Sequence, residues 1–400
     1  MNRIKRIIMF KGDIETTGYF SEQMAAYFKK QGYQIYFYDY QHEKKCITEL
    51  LRFYAQGETA VVSFNFHGIT GKEELFFDRE SNTFMWEDLD IPFLNIVVDH
   101  PYYYHRFLDF MPPQYMNLSI DRNHEKYLTR YYPEIKQGPF LPLAGTSLHP
   151  AGDYKKMKDR AYDISFAANY SKPETFDVFI ERHGPEYTAF YHRIIDELLE
   201  DPTKLLEDVA YAHIMAEVED AAEDPAGVKL ALSNMIFIDM YVRYYFRGEM
   251  VRTLVDNGYK VQIFGSGWDE LSCKHPENMI LGGGKNSLEC LKLQTESKVS
   301  LNNMPWFKDG AHDRVFNTML NGAVCCTDSS VYMDEFLKDG ENCIIYDLSH
   351  MDELPDKVGA LLADEERMQH IADAGFTLAK NGHTWADRAK VVNNVLSGIR

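Results

Sequence analysis

Four short loops rich in glycine, asparagine or aspartate lie beside apolar segments in the second half of the chain. They are residues 265–268 (GSGW), 282–284 (GGG), 302–305 (NNMP) and 309–311 (DGA). Glycine lets a backbone approach a phosphate group closely, and the N-terminus of a helix favours negative charge. Any one such loop is common in α/β domains, but four in succession predict a nucleotide site in this half of the chain.

Arg314 is the cation best placed to serve that site. It lies one turn into a helix predicted to begin near residues 310–312, where its guanidinium could hold a diphosphate through two parallel hydrogen bonds. The alternative is a surface arginine paired with Asp309 or Asp313. The other predicted donor-binding residues at these strand ends are Asn169, Gly265, Ser266, Gly267, Trp268, Gly283, Asn302 and Lys308.

Short apolar strands alternate with helical segments on both sides of a Pro- and Gly-rich stretch at residues 138–152. The predicted strands are 6–10, 34–38, 60–64, 92–98 and 115–120 before it, and 162–167, 260–264, 279–281, 298–301, 323–327 and 343–346 after it. This alternation predicts parallel, doubly wound sheets. We therefore expect an α/β protein of two Rossmann-like domains.

The predicted boundaries place an N-terminal domain at residues 1–150 and a C-terminal domain at 151–385. A last helix at 386–400 is expected to cross back to the first domain. Residues 173–255 show apolar residues at helical spacing over too long a span for one crossover helix, which predicts a helical insertion of three or four helices. A lid, a scaffold, a docking surface for a protein or peptide acceptor and a dimer contact all stay open for it.

Residues 298–388 resemble the C-terminal domain of group-1-like GT-B glycosyltransferases, especially the spore-maturation-type subgroup. The segments that carry the resemblance are VSLNNMP (299–305), DGAHDRVFNTMLNGAVCCTD (309–328), EFLKDGENCIIYD (335–347) and HTWADR (383–388). The earlier segments DISFAANY and IFGSGW are similar to the first strand-loop units of the same domain. The resemblance implies a GT-B arrangement and metal-independent transfer of a sugar from a nucleotide-sugar donor.

The resemblance also implies roles for three further positions. Many relatives carry two glutamates with seven residues between them, the first near the transferred sugar and the second on the ribose hydroxyls. Those positions are Asp309 and Asn317 in this chain, so both depart from glutamate. Gly322 would be the small residue that lets helix and strand pack near the diphosphate.

The N-terminal domain is expected to hold the acceptor. Asp99 and His100 fall just past a predicted strand, where either could deprotonate an acceptor hydroxyl. The alternative is equally favoured: Pro101 begins a helix, Asp99 caps it and His100 makes a structural hydrogen bond. Residues 12–18 and 65–67 also follow strands and are further candidates to line the site.

Several classes of protein are excluded by composition and motif. A formal net charge of −19 would repel a phosphate backbone, so we expect no nucleic-acid partner. No Gly-x-Gly-x-x-Gly, P-loop or Gly-x-Ser-x-Gly motif is present, and no Asp-x-Asp follows a strand, so we expect no dehydrogenase, P-loop NTPase, α/β-hydrolase or metal site.

The expected location is the cytoplasm. The six cysteines contain no Cys-x-x-Cys pair, which fits a reducing compartment. The N-terminus lacks the apolar core of a signal peptide, and no apolar run reaches the ~20 residues that span a bilayer. We therefore expect no transmembrane segment.

The leading hypothesis is glycosyl transfer, with the donor as substrate and no separate cofactor. UDP is expected as the donor base because it is frequent in this fold, and the acceptor stays open among a glycan, a protein and a small molecule. The alternatives are a sugar-nucleotide epimerase on the same scaffold and a non-catalytic nucleotide- or sugar-binding protein. Retention or inversion at the anomeric carbon and a homodimer also stay open.

Overall fold

The computed structural model describes residues 4–69, 75–218 and 220–399. The chain divides into two compact units. The N-terminal unit contains Met1–Ala144 together with His383–Arg400, and the C-terminal unit contains Gly145–Gly382. The first division lies a few residues before the predicted boundary at residue 150, because residues 146–148 hydrogen-bond to residues 317–321 of the C-terminal unit.

The N-terminal unit is built on a parallel sheet with helices between its strands. Its strands are β1 (Arg6–Lys11), β2 (Gln34–Asp39), β3 (Thr59–Phe64), β4 (Phe77–Asp78), β5 (Thr83–Phe84), β6 (Phe93–Val97) and β7 (Tyr115–Ser119). Its helices before residue 144 are α1 (Glu15–Lys30), α2 (Glu43–Phe53), α3 (Met85–Asp88), α4 (His105–Leu108) and α5 (Arg122–Tyr131). The sheet order is β2-β1-β3-β6-β7, and β4 pairs with β5 in a separate antiparallel ribbon.

The sequence of the central strands explains their position. β3 (TAVVSF) is buried along its whole length, and β1 (RIIMFK) is buried at its four apolar residues. A strand covered by helices on both faces of a parallel sheet needs such a continuous apolar run. In register, Ile7 faces Ile35 of β2 on one side and Ala60 of β3 on the other.

The C-terminal unit has a second parallel sheet, with the order β10-β9-β8-β11-β12-β13. Its strands are β8 (Tyr162–Ala167), β9 (Val261–Phe264), β10 (Met279–Leu281), β11 (Ser297–Leu301), β12 (Val324–Thr327) and β13 (Ile344–Ile345). Its helices are α6 (Val178–Glu181), α7 (Pro185–Glu200), α8 (Leu206–Glu217), α9 (Pro225–Ser233), α10 (Ile236–Asp256), α11 (Ser287–Thr295), α12 (Asp313–Leu320), α13 (Val331–Asp334), α14 (Leu354–Leu362) and α15 (Glu365–Lys380). Both units are Rossmann-like, which confirms the predicted fold class.

Helix α10 differs from its predicted role as the end of an insertion. Its C-terminal half buries Met250, Val251, Leu254 and Val255 in the same core as β8 and β9. It is therefore the crossover helix that joins two parallel neighbours of the sheet, as any such connection requires. Its N-terminal half packs with α7, where the ring of Tyr241 lies 6.1 Å from that of His192.

Each sheet has one point at which the strand order reverses. In the N-terminal unit it lies between β1 and β3, and in the C-terminal unit it lies between β8 and β11. The connections on the two sides of such a point lead away in opposite directions and leave a crevice at the carboxyl ends of the strands, where α/β proteins bind ligands. These two places are the first to examine for a functional site.

The last helix, α16 (Trp385–Gly398), packs on α1 inside the N-terminal unit. The ring of Trp385 lies 4.4 Å from that of Phe20, and the hydroxyl of Tyr33 donates to Asn393 Oδ1 at 2.9 Å. The buried Arg388 donates to the carbonyls of Pro142 and Leu143. In the part of the chain that the structure describes, no helix combines the length and apolar character that a membrane crossing needs.

The contact between residues 145–148 and α12 can be tested by a substitution at Gly145. A Cβ atom at Gly145 would lie 2.5 Å from the carbonyl carbon of Phe316 and 2.7 Å from the backbone nitrogen of Asn317. Because helix backbone cannot yield, we expect Gly145→Ala to lower the free energy of unfolding by about 1–3 kcal/mol in urea denaturation. Gly398→Ala, whose Cβ meets open space, is the matched control, and equal stability of the two variants would contradict this packing.

Candidate functional site

The switch point of the C-terminal sheet is bridged by Arg314. Its Nε donates to the carbonyl of Ala167, which ends β8, at 2.8 Å, and its Nη1 donates to Asn302 Oδ1, just past β11, at 2.7 Å. The guanidinium lies 5.2 Å from the ring centre of Phe166 and is buried. Arg314 therefore lies at the predicted place, but two of its nitrogens join neighbouring strand ends.

The residue before α12 contributes a neutral ring to the same place. His312 is the N-cap of α12, and its Nδ1 accepts a hydrogen bond from the backbone N–H of Arg314 at 3.2 Å. Burial, reinforced by the nearby Arg314 cation and opposed by Asp313, lowers the pKa of His312 to about 4. At neutral pH the site therefore contains an imidazole here and not another cation.

Two arginines on α10 complete the cluster, and the sequence analysis did not single them out. Arg247 is buried, and its Nη1 donates to the carbonyl of Asn169 at 2.6 Å. Arg243 pairs with Asp239 at 3.0 Å. Both guanidiniums lie over the ring of Trp306, at 4.0 Å for Arg243 and 5.6 Å for Arg247.

Arg247 differs from its neighbours because no carboxylate neutralises it. Among the described residues it forms no ion pair, and its buried Nε has no hydrogen-bond partner. Burial, with the Arg314 and Arg243 cations beside it, lowers the pKa of Arg247. A sequence signal did exist, since YVRYYFRGEM sets two arginines four residues apart on one helix face among aromatic residues.

The loop at residues 265–268 has a structural function. A Cβ atom at Gly265 would lie 1.9 Å from the carbonyl oxygen of Ala168, and one at Gly267 would lie 2.1 Å from that of Tyr170. Trp268 is buried, and its indole donates to the Ala168 carbonyl at 2.6 Å. These residues therefore pack the loop against residues 168–170.

The same loops hold Asn169 in place. Its side-chain oxygen accepts from the backbone N–H of Ser266 at 3.0 Å, and its carbonyl accepts from Arg247. The carbonyl of Gly283 accepts from Gly265 at 2.9 Å, while a Cβ atom at Gly283 would meet open space. Of these predicted residues, Asn169 is the one that contacts Arg247.

Asn317 and Gly322 contact the chain before β8. Asn317 Oδ1 accepts from the backbone N–H of Thr146 at 2.8 Å, and its amide donates to Asp313 at 2.8 Å. Gly322 has a left-handed backbone, with φ 72°, and a Cβ atom there would lie 2.2 Å from the ring of Tyr154. These contacts account for both residues without a ribose or a diphosphate.

Lys308 and Asp309 follow the strand end at Asn302. Asp309 is buried, and Lys308 donates to the carbonyl of Pro202. Lys308 also lines a cavity of about 520 Å³ whose wall includes Asp328. Burial raises the pKa of Asp328 to about 7, although its carboxylate accepts from the backbone N–H of Met304 at 3.0 Å.

Asp99 and His100 lie in the N-terminal unit with their hydrogen bonds made locally. Asp99 Oδ2 accepts from Asn65 Nδ2 at 2.9 Å and from the hydroxyl of Tyr104 at 3.0 Å. His100 caps a short 3₁₀ helix, accepts from the N–H of Tyr102 and stacks on that ring at 3.8 Å. His100 therefore makes a structural hydrogen bond, as in the capping alternative, but the cap is His100 and not Asp99. In the described part of the chain, no three His, Cys, Asp or Glu side chains are grouped to hold a metal ion.

Comparison with known proteins indicates the class of protein to which a domain with this geometry is similar. Residues 247–394 match a family model described as glycosyl transferase-like, and that span includes Arg247 and Arg314. No curated protein matches the chain in sequence. The chain therefore carries a glycosyltransferase-like domain, which confirms the predicted enzyme class at the level of that domain.

Solved structures resemble the chain at low sequence identity. The sucrose-phosphate synthase of Thermosynechococcus elongatus matches with a TM-score of 0.53 and 7% identity over 98% of each chain. A glycosyltransferase from Rickettsia africae ESF-5 has a TM-score of 0.49 and 10% identity, over 99% of this chain and 98% of that one. An alpha-glucosyltransferase in complex with UDP has a TM-score of 0.48 and 10% identity, over 98% of this chain and 99% of that one.

The bridging role of Arg314 can be tested by its removal. Arg314→Ala leaves the Ala167 carbonyl and the buried Asn302 side chain without their donors, so we expect the free energy of unfolding to fall by about 3 kcal/mol in urea denaturation. Arg193→Ala removes an exposed ion pair with Glu217 and should cost less than about 1 kcal/mol. Equal losses in the two variants would contradict the bridge.

The lowered pKa of His312 predicts a pH dependence of stability. Between pH 6.5 and pH 4 this histidine, whose ordinary pKa is ~6.5, takes up a proton in the unfolded chain but not in the folded chain. The free energy of unfolding therefore decreases as the pH is lowered through this range. His312→Asn keeps a capping oxygen and cannot titrate. We expect the stability that wild type loses between pH 7 and pH 5 to shrink by about 1–2 kcal/mol in this variant; parallel pH curves would show that His312 is not buried as described.

Proposed function

We propose that the chain transfers a sugar from a nucleotide-sugar donor to a hydroxyl acceptor, with the donor diphosphate bound against Arg247 and Arg314. The observation that carries the proposal is the uncompensated charge of Arg247. Its guanidinium is buried at the switch point of the sheet, has no carboxylate partner and keeps an Nε without a hydrogen bond. A buried cation is costly unless an anion accompanies it.

The charges around Arg247 favour a diphosphate over a single carboxylate. Asp239 is already paired with Arg243, and Asp313 lies 2.8 Å from His312. Asp313 is the carboxylate beside Arg314, whereas Arg247 forms no ion pair in the part of the chain described. Planar guanidinium groups bind phosphate oxygens through paired hydrogen bonds, so a ligand with two adjacent phosphates suits two arginines.

The remaining features of the donor follow from this placement. We propose that the guanidinium groups and the N-terminus of α12 balance the diphosphate charge without a metal ion. Asp309, in the loop before α12, is our candidate for the sugar contact. UDP is the proposed nucleotide of the donor, by analogy with the fold. The segments at residues 299–328 support the spore-maturation-type subgroup.

The acceptor is proposed to bind the N-terminal unit. It is a glycan, a protein or a small molecule that offers a hydroxyl group. We also propose a cytoplasmic location, because the six cysteines contain no Cys-x-x-Cys pair, which fits a reducing compartment.

A nucleotide-binding screen of purified protein tests the donor site. We expect one nucleoside diphosphate among UDP, GDP and dTDP to stabilise the wild type by about 2.7 kcal/mol at 100 times its Kd, with or without EDTA. Arg247→Met should abolish that stabilisation. The same variant should lower the free energy of unfolding of the unliganded protein by no more than about 1 kcal/mol, because a buried uncompensated charge is removed.

The control for this experiment lies on the same helix. Arg252 donates to Glu249 and to the Ser272 carbonyl, away from the crevice, so Arg252→Met should bind nucleotide as the wild type does. A wild type that binds no nucleoside diphosphate would overturn the donor site. Loss of binding with EDTA would overturn metal independence alone.

A further inference from the structure

The ring of Trp306 lies against two arginines of the proposed donor site. The guanidinium carbon of Arg243 is 4.0 Å from the centre of that ring, and the guanidinium carbon of Arg247 is 5.6 Å from it. Both distances lie within the range of a cation–π interaction, for which tryptophan is the most favourable side chain. One half-buried ring therefore contacts both cations of α10.

The same ring also contacts the start of α12. The ring of His312 lies 5.9 Å from that of Trp306, at an angle of 77°. His312 is the N-cap of α12, and its Nδ1 accepts a hydrogen bond from the backbone N–H of Arg314. Trp306 thus lies between the two helices whose arginines are proposed to bind the diphosphate.

The backbone on either side of Trp306 is held by contacts that involve neither arginine of α10. The N–H of Met304 donates to both carboxylate oxygens of Asp328, which follows β12, at 3.0 Å. The N–H of Phe307 donates to the Met304 carbonyl at 3.1 Å. The sheet therefore fixes the position of the loop, and the loop carries the ring.

Arg247 has an aromatic neighbour where a buried cation would ordinarily have a carboxylate. Among the residues that the structure describes it forms no ion pair, and its Nε has no hydrogen-bond partner. A carboxylate would occupy the N–H donors that a phosphate group needs. An aromatic face attracts the guanidinium, so an incoming phosphate has no anion to displace. The ring of Tyr244, 5.1 Å from the guanidinium carbon of Arg247, makes a second contact of this kind.

We propose, on the basis of the proposed donor site, that Trp306 is a positioning residue for the donor diphosphate. Its ring attracts the guanidinium groups of Arg243 and Arg247 and so offsets the repulsion between two like charges four residues apart on one helix. Arg247 is thereby held in place, without being neutralised, before the donor binds. Trp306 acts on the donor through Arg247.

The test uses the full chain and two probes, inorganic pyrophosphate and the nucleoside diphosphate that stabilises the wild type. Titration calorimetry gives the Kd of each probe. Trp306→Leu removes the aromatic face, and we expect both Kd values to rise about 10-fold. Trp306→Phe keeps a smaller aromatic face and should recover part of the lost affinity.

Phe179→Leu is the matched control. Phe179 stacks on Phe237, near the start of α10, with ring centres 4.4 Å apart, so this variant removes an aromatic contact of α10 that involves neither arginine. Its Kd values should equal those of the wild type. A Trp306→Leu protein that is less stable but binds both probes as tightly as the wild type would show that the ring only supports the fold.

Tryptophan fluorescence reports on the ring directly. Trp306 is one of four tryptophans, and pyrophosphate has no aromatic group of its own. We expect saturating pyrophosphate to change the emission of the wild type, and Trp306→Phe to bind pyrophosphate with most of that change lost. A Trp306→Phe protein that binds pyrophosphate and keeps the change would contradict the proposal, also where Trp306→Leu does not fold.

The outcomes separate this inference from the proposed function. A wild type that binds either probe, together with a Trp306→Leu variant of equal affinity, overturns the positioning role and leaves the donor site intact. A wild type that binds neither probe overturns both.

Discussion

The C-terminal unit depends on the hydrogen bonds that the guanidinium of Arg314 donates to two strand ends. A parallel sheet whose strand order reverses must separate its loops at one point, and between β8 and β11 the separation leaves polar groups of Ala167 and Asn302 facing each other. One planar cation satisfies both from the first turn of α12. The position of that helix, of His312 at its start and of the crevice itself all follow from this bond pattern.

The second cation shows how stability and ligand binding are divided between similar side chains. Arg314 is held by strand ends, whereas Arg247 approaches from α10 and bonds only the Asn169 carbonyl. Because α10 also packs with α7, the diphosphate that we propose at Arg247 would be coupled to the helical segment. The helices between β8 and β9 thereby acquire a physical connection to the crevice. The neutral His312 keeps the cluster from accumulating a further positive charge.

The sequence predicted the order of elements because the strands are continuous apolar runs, and it predicted Arg314 because a helix N-terminus beside a strand end is recognisable. It did not predict Arg247, because the helical pattern of residues 173–255 does not indicate which of its helices packs on the sheet. It could not show that residues 145–148 lie along α12 or that Tyr154 lies against Gly322, and these contacts give Asn317 and Gly322 local partners. Trp306 belongs to the loop after β11, and only the position of α10 against the sheet brings two arginines over its ring.

Helix α16 lies on α1, although the whole C-terminal unit separates them along the chain. During synthesis on the ribosome, α1 is therefore made long before α16. Phe20 lacks its contact with Trp385 until the last helix has been synthesised. The apolar surface of α1 that packs on α16 therefore stays uncovered by that helix while the second unit is translated. The N-terminal unit can complete its fold only after the second unit has been made, so the two units mature in the reverse of their order in the gene.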